Sequence, residues 1–459
     1  MNPDQIVEEA LSQRTVDAMT VICAEHSQTN LRWAANTLTT NGVMRSRDIT
    51  VIALHGSGAG RAAGVMSASV ADAADVAAVV SRAEAAARSA DPSPDAQELV
   101  EGAASDSFGD APAETSPEVF ASFAPELGDW FARAGAMSIE LFGFAEHDVT
   151  TTYVGNSRGL RLRHSQPTGR LEITGKSHGR SRSTWAGRST RDFTDIDVRG
   201  LDEQIQTRLG WAERTLSLDP GRYEVLLPPS AVADLMVYLY WSSAARDAAD
   251  GRTVFSKPGG GTRVGDRLTE SPVTLLSDPT YSGMECSPFV VAHSSGSTES
   301  VFDNGLPLDR TAWVDGGELA ALVQTRHSAG MTGLPVTSMI DNLALEVAGS
   351  TSTSEQLIGS TERGLLLTTL WYIREVDPQT LLLTGLTRDG VYLVEGGEVV
   401  GAVNNFRFNE SPVDLLSRVT DATPTEVSLP REWSDFFTRV AMPTLRVADF
   451  NMSTVSQAS

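Results

Sequence analysis

The stretch Gly221 to Gly251, GRYEVLLPPSAVADLMVYLYWSSAARDAADG, decides how the rest of the chain is read. Tyr223 to Leu227 is a short apolar run with strand character. Pro228 and Pro229 stop it. A proline is tolerated in the first helical turn, where its missing N–H would have had no partner. Ser230 is an N-cap candidate, and Asp234 behind it suits the positive end of the helix dipole. Val232, Leu235, Met236, Leu239 and Tyr240 recur at helical spacing, which predicts a helix from Ala231 to Ala249 with one buried face.

The whole chain has 459 residues, room for about two to four domains. The formal net charge of −23 argues against a general nucleic-acid or anionic-membrane binder. Cys23 and Cys286 are the only cysteines, too few and too far apart for a disulfide framework or a cysteine metal cluster. The N-terminal MNPDQIVEEALSQ lacks the basic-then-apolar order of a signal peptide, and no run approaches 18 apolar residues. The expectation is a cytoplasmic protein with no membrane and no nucleic-acid partner.

Upstream, Ala18 to Glu25, Asn30 to Leu38 and Val43 to Leu54 read as strands, with a hairpin turn at Thr40-Asn41-Gly42. His55-Gly56-Ser57-Gly58-Ala59-Gly60-Arg61 lacks the endings and spacing of a phosphate-binding loop and reads as a turn. Val70 to Arg88 is an alanine-rich helix. Asp91 to Asp129 holds ten acidic residues, no basic ones and five prolines, so 91–118 is expected to be a mobile acidic loop. Val119 to Ala136 is helical; Ser138 to Ala145 and Thr150 to Val154 are strands. Arg158 to Arg191 then carries nine Lys or Arg against Glu172 alone. The alternation Leu160-Arg161-Leu162-Arg163 turns the arginines outward. They form either a solvated strand face or a strip, with Arg158, Arg161 and Arg163, that touches an acidic peptide or a partner subunit. Asp202 to Leu218 is a helix broken by Asp219-Pro220-Gly221, which sets the boundary between an N-terminal domain, 1–220, and a C-terminal domain, 221–459.

Downstream come a strand at Val273 to Ser277 with Asp278-Pro279, an Asp303-Asn304-Gly305-Leu306-Pro307 turn, the stretch Trp313 to Leu322, and Asp341-Asn342-Leu343. Strands at Leu370 to Val376, Leu381 to Arg388 and Gly390 to Glu395 lead to the hairpin Glu395-Gly396-Gly397-Glu398. The polar tail from Asn451 is expected to fray. Together with the strand, double proline and helix, this order resembles the TldD/PmbA family of metallopeptidase-related proteins. The expected fold is α+β, with antiparallel strands and helices in the N-terminal domain. In the C-terminal domain a curved antiparallel sheet surrounds the central helix.

In catalytic members of that family the central helix carries His-Glu-x-x-x-His, which sets two imidazoles one turn apart on one face with a carboxylate beside the metal-bound water. The corresponding turns here run from Tyr238 to Ala245 and contain neither residue, leaving Tyr238, Tyr240, Trp241 and Ala245 at degenerate zinc-helix positions. Catalytic members also use a cysteine near the C-terminus; Thr423 to Pro443 has none. Their Arg-Asn-Leu segment reads Asp341-Asn342-Leu343 here. The resemblance therefore implies a PmbA/TldE-like chain, inactive alone and without a cofactor of its own. It would pair as a heterodimer with a TldD-like subunit that carries zinc, to process small or unfolded peptides.

The alternative is a stand-alone metallopeptidase or tailoring enzyme with unconventional ligands. No two of the seven histidines are four or five apart, so none forms a helical zinc pair. Cys286 and His293, with Glu285 adjacent, are the remaining candidates. A buried cysteine and a loop histidine are the plainer reading of them.

Overall fold

In the computed structural model, which describes residues 1–70 and 73–456, the N-terminal strands form one antiparallel sheet. They are β1 (Ala18–Ala34), β2 (Thr37–His55), β3 (Ala62–Ser69), β4 (Glu140–Asn156), β5 (Arg161–Ser177) and β6 (Arg182–Thr190), in the order β3-β2-β1-β4-β5-β6. β1 continues past the expected break because Leu31 and Trp33 are buried and pair with β4. The chain reverses at Ala35-Asn36, where both φ angles are positive (47° and 62°), as a two-residue hairpin requires. Thr40-Asn41-Gly42, expected as the turn, is strand; Gly42 lies opposite Asn30.

Alternation along these strands separates two jobs. Val21, Leu31 and Trp33 of β1 face helices α1 (Pro3–Ser12), α2 (Ala73–Ser89), α3 (Phe123–Ala136) and α4 (Val198–Trp211). Residues 71–72, within the helix expected from Val70, lie outside the described residues. Ala18 and Ile22 face the other way, with Ile52, Leu54 and Val154, and pack against Phe289, Val301 and Phe302 of the C-terminal half.

Segment 91–118, expected as a mobile loop, has no helix or strand before Pro117 but lies along the sheet as a strap. Leu99 is buried. Asn156 donates to the Val100 carbonyl (2.8 Å), Tyr153 donates to that of Asp110 (2.6 Å), and Ala104 bridges to Arg161. Ser300 donates to the buried Asp95 carboxylate at 2.7 Å. Backbone groups satisfied in this way fasten the strap despite its composition.

The C-terminal half holds a ten-stranded and a six-stranded sheet rather than one antiparallel sheet. In the larger, Gly221–Leu227 lies between Leu445–Val455, antiparallel, and Arg363–Leu367, parallel. In the smaller, Val273–Ser277 pairs antiparallel with Thr311–Asp315 and Leu343–Val347, and the last pairs parallel with Val440–Met442. Connections of many residues make those parallel pairs possible. The tail, expected to fray from Asn451, is strand to Val455; residues 457–459 lie outside the described residues.

The helix α5 (Pro229–Trp241) packs into a core drawn from both sheets. It is buried on nearly every side, beyond the single buried face that its spacing predicts. Pro228 is its N-cap and Pro229 its first residue; Ser230 makes no capping bond. The expected helix to Ala249 breaks at Ser242. The Ser242 and Ser243 hydroxyls donate to the Tyr238 and Tyr240 carbonyls, and the backbone of 243–245 pairs with Val323 before α6 (Ala245–Ala249) begins. No helix among the described residues is long and apolar enough to cross a membrane.

Candidate interdomain cleft

A cleft of 540 Å³ opens between the β4–β5 face and the C-terminal half. Thr150, Thr152, His164, Gln166 and Thr168 line one wall, alternate residues of two paired strands. Trp241 at the end of α5, Met339, Ile340, Phe437 and Arg439 line the other. The wall of hydroxyls and amide is suited to hydrogen-bonding an extended chain, and the rings to covering its side chains.

The titratable groups in the cleft are engaged. Burial holds the His164 imidazole below its ordinary value, and its Nε2 lies 3.0 Å from Gln166 Oε1. Arg439 donates to the Asp341 carbonyl (2.9 Å) and to Thr168 Oγ1 (2.8 Å), and pairs with the Asp341 carboxylate. Asp303 accepts from the Arg326 amide and from its Nε at 2.7 Å.

The degenerate helix positions meet the C-terminal segment in space. Tyr240 is fully buried, with its ring 5.1 Å from that of Trp313 and 6.1 Å from that of Phe437. Trp241 stands edge-on to Trp433 (5.2 Å) and Phe437 (6.3 Å), and Tyr238 lies 5.7 Å from Trp433. Ala245 is buried beyond the helix break, at the start of α6. The two stretches in which catalytic relatives are expected to place zinc ligands thus come together, and rings fill the space between them.

These residues do not fit a zinc ion. Tyr240 Oη is spent on the Ile340 backbone, and among the described residues no three His, Cys, Asp or Glu are gathered as a ligand set. Cys286 and His293 belong to different surroundings. Burial pushes the Cys286 thiol up to about 11, with Arg439 opposing the shift, and no set of three His, Cys, Asp or Glu gathers around it among the described residues. His293 Nδ1 lies 3.0 Å from Thr50 Oγ1 of β2, and burial holds its imidazole below the ordinary value.

Two of the three arginines singled out in the strip, Arg158 and Arg161, find counter-charges inside the chain. Arg158 pairs with Glu98 (2.8 Å) and Glu101 (3.1 Å) of the strap, and Arg161 with Glu8 (2.9 Å). Arg163 donates to the Ala111 carbonyl (2.7 Å) and lies over the Tyr153 ring. Asn342, singled out within Asp-Asn-Leu, is structural. It accepts from the Asp278 amide (3.0 Å) and donates to the Asp278 and Met284 carbonyls. His164, Gln166 and Arg439 carry no local signal that marks them as cleft residues; only the pairing of β4 with β5 does.

Comparisons place this architecture among known folds. TldE from Thermococcus kodakarensis superposes with a TM-score of 0.78 at 15% identity, covering 98% of this chain and 99% of that one. A putative modulator of DNA gyrase from Bacteroides thetaiotaomicron gives 0.74 at 14% identity, over 99% and 98%. One from Thermotoga maritima gives 0.73 at 15% identity, over 95% of each. A search of curated proteins finds no match. The family model described as the PmbA/TldA metallopeptidase C-terminal domain matches residues 220–454. That match spans more than half of the 459 residues, and the chain belongs to the PmbA/TldD family of metallopeptidase-related proteins.

Proposed function

We propose that this chain is a non-catalytic, TldE-like subunit of a TldD/TldE-type zinc metallopeptidase that processes small or unfolded peptides. The observation that carries this reading is the packing of Tyr240 and Trp241 against Trp433 and Phe437. Rings occupy the space where a catalytic relative would hold metal, and the Tyr240 hydroxyl is held between the carbonyl and amide of Ile340 rather than turned toward a metal position. Zinc then belongs to a TldD-like partner, and this chain contributes the cleft wall. A space of 540 Å³ admits an extended peptide segment and excludes a folded domain.

The test is to purify the chain alone, measure zinc and peptidase activity, and then add a TldD-like subunit from the same organism. The expected result is zinc well below one per chain, no hydrolysis alone, and a heterodimer that cleaves unfolded peptides. Zinc near one per chain that survives dialysis, or failure to form the complex, would sink the proposal.

A further inference from the structure

A second cavity, of 130 Å³, lies at the N-terminal end of α5, away from Trp241. Its walls come from both halves of the chain: β6 and α4 on one side, and Pro228 to Ser230, Thr368 and 426–429 on the other. Arg188 and Arg208 both line it. Well-buried arginines elsewhere, such as Arg61, Arg170, Arg326, Arg418, Arg431 and Arg439, each pair with a carboxylate. Arg188 and Arg208 have none within 4.0 Å among the described residues. Arg188 donates to the Gly187 carbonyl (2.8 Å) and Gln204 Oε1 (3.4 Å), and Arg208 to the Trp185 carbonyl (2.8 Å).

Two more observations point into the same space. The Ser230 and Ser428 hydroxyls are buried without a hydrogen-bond partner, and Ser428 is only 9% exposed. Ser230 also sits in the first turn of α5, where its amide has no intrahelical acceptor and the helix dipole is positive. Burial, reinforced by the like charge of Arg188, brings Arg208 down to about 10, still cationic at neutral pH. Glu426 stands exposed at the rim, beyond 4.0 Å of either guanidinium, where partial desolvation raises its carboxyl from the ordinary value and the charge of Arg188 opposes that shift. Two cations against one carboxylate leave the cavity electropositive.

We propose that this cavity binds a phosphate-type oxyanion, either free phosphate or the phosphoryl end of a monoester, held by Arg188, Arg208, Ser230 and Ser428. Guanidinium forks and serine hydroxyls match tetrahedral oxygens, and one anion would satisfy every orphaned group. The volume equals roughly four water molecules, enough for such an anion with little hydration. Because both halves contribute, the bound anion would clamp them together and cap the central helix. Nothing in this proposal depends on the peptidase reading.

The experiment is calorimetric titration of the full chain with inorganic phosphate and with phosphoserine, alongside thermal melts in phosphate or chloride at equal ionic strength. Saturable binding of either ligand with a Kd below about 1 mM, and a melting midpoint raised by phosphate but not chloride, are expected. Binding of phosphoserine in competition with phosphate identifies a monoester site; binding of phosphate alone identifies a free-anion site. Arg208→Met and Arg188→Met should each weaken binding at least about tenfold. Ser428→Ala should weaken it about threefold, and the exposed Arg199→Met not at all. If Arg208→Met does not fold, Arg188→Met and Ser428→Ala carry the test. No saturable binding to the wild type, or unchanged binding in both of those variants, overturns the proposal.

Discussion

The Tyr240 hydroxyl holds both backbone groups of Ile340, donating to its carbonyl at 3.0 Å and accepting from its amide at 2.8 Å. This ties the end of α5 to the wall 338–341 of the cleft. Tyr240→Phe keeps the ring and its packing but leaves a buried amide and carbonyl unpaired. The expected loss is about 1–3 kcal/mol of unfolding free energy. Urea denaturation checks it, and a loss near zero would mean that water replaces the hydroxyl.

Asp234 sits in the middle of α5, fully buried, and accepts from the Glu432 amide (2.9 Å) while its second oxygen has no partner. Burial pushes its pKa well above 3.8, so the folded protein holds a proton that the unfolded chain releases. Its contribution to stability is therefore most favourable below the unfolded value. It falls as pH rises toward the folded pKa, and is constant above that. Asp234→Asn removes this titration while keeping the shape. The stability of Asp234→Asn relative to wild type should rise with pH from about 4 upward and then level off. Denaturation midpoints at several pH values check the slope; a difference independent of pH would refute a protonated Asp234.

How much of this was legible follows from range. The strand and double proline before α5 are local signals, and they hold. The break at Ser242 is not local, because it is enforced by Val323, far along the chain. The turn at Ala35-Asn36 was hidden by the stronger Asn41-Gly42 signal, and burial of Leu31 and Trp33 decided the register. Composition described the strap correctly as acidic but could not reveal that Arg158 and the sheet face were its counterparts. In the cleft, Trp241 was legible from the degenerate helix, whereas His164 and Arg439 needed the fold.

The strap gives a contrast between buried and exposed acids. Asp95→Ala removes the buried acceptor of the Ser300 hydroxyl and should cost about 1–3 kcal/mol. Glu101→Gln breaks an exposed pair with Arg158, screened by solvent, and should change stability by less than about 1 kcal/mol. Limited proteolysis gives a second readout: wild-type 91–118 should resist cleavage, and Asp95→Ala should open it. Rapid cleavage of the wild type would restore the mobile loop that composition alone predicts.

Trp241 closes the cleft from α5 and stacks edge-on with Trp433, so its emission should respond to anything that enters. Addition of an unstructured peptide should shift tryptophan fluorescence saturably. Trp241→Ala should weaken that binding by at least about tenfold, the effect typical of an aromatic anchor at the centre of an interface. Because Trp241 is only partly buried, the variant should keep its fold, which circular dichroism would verify. Thr168→Val, on the opposite wall, should also weaken binding, because it removes a polar group from that wall. A titration in which neither variant differs from wild type would move peptide binding out of this cleft, and the zinc measurement would then have to decide the function alone.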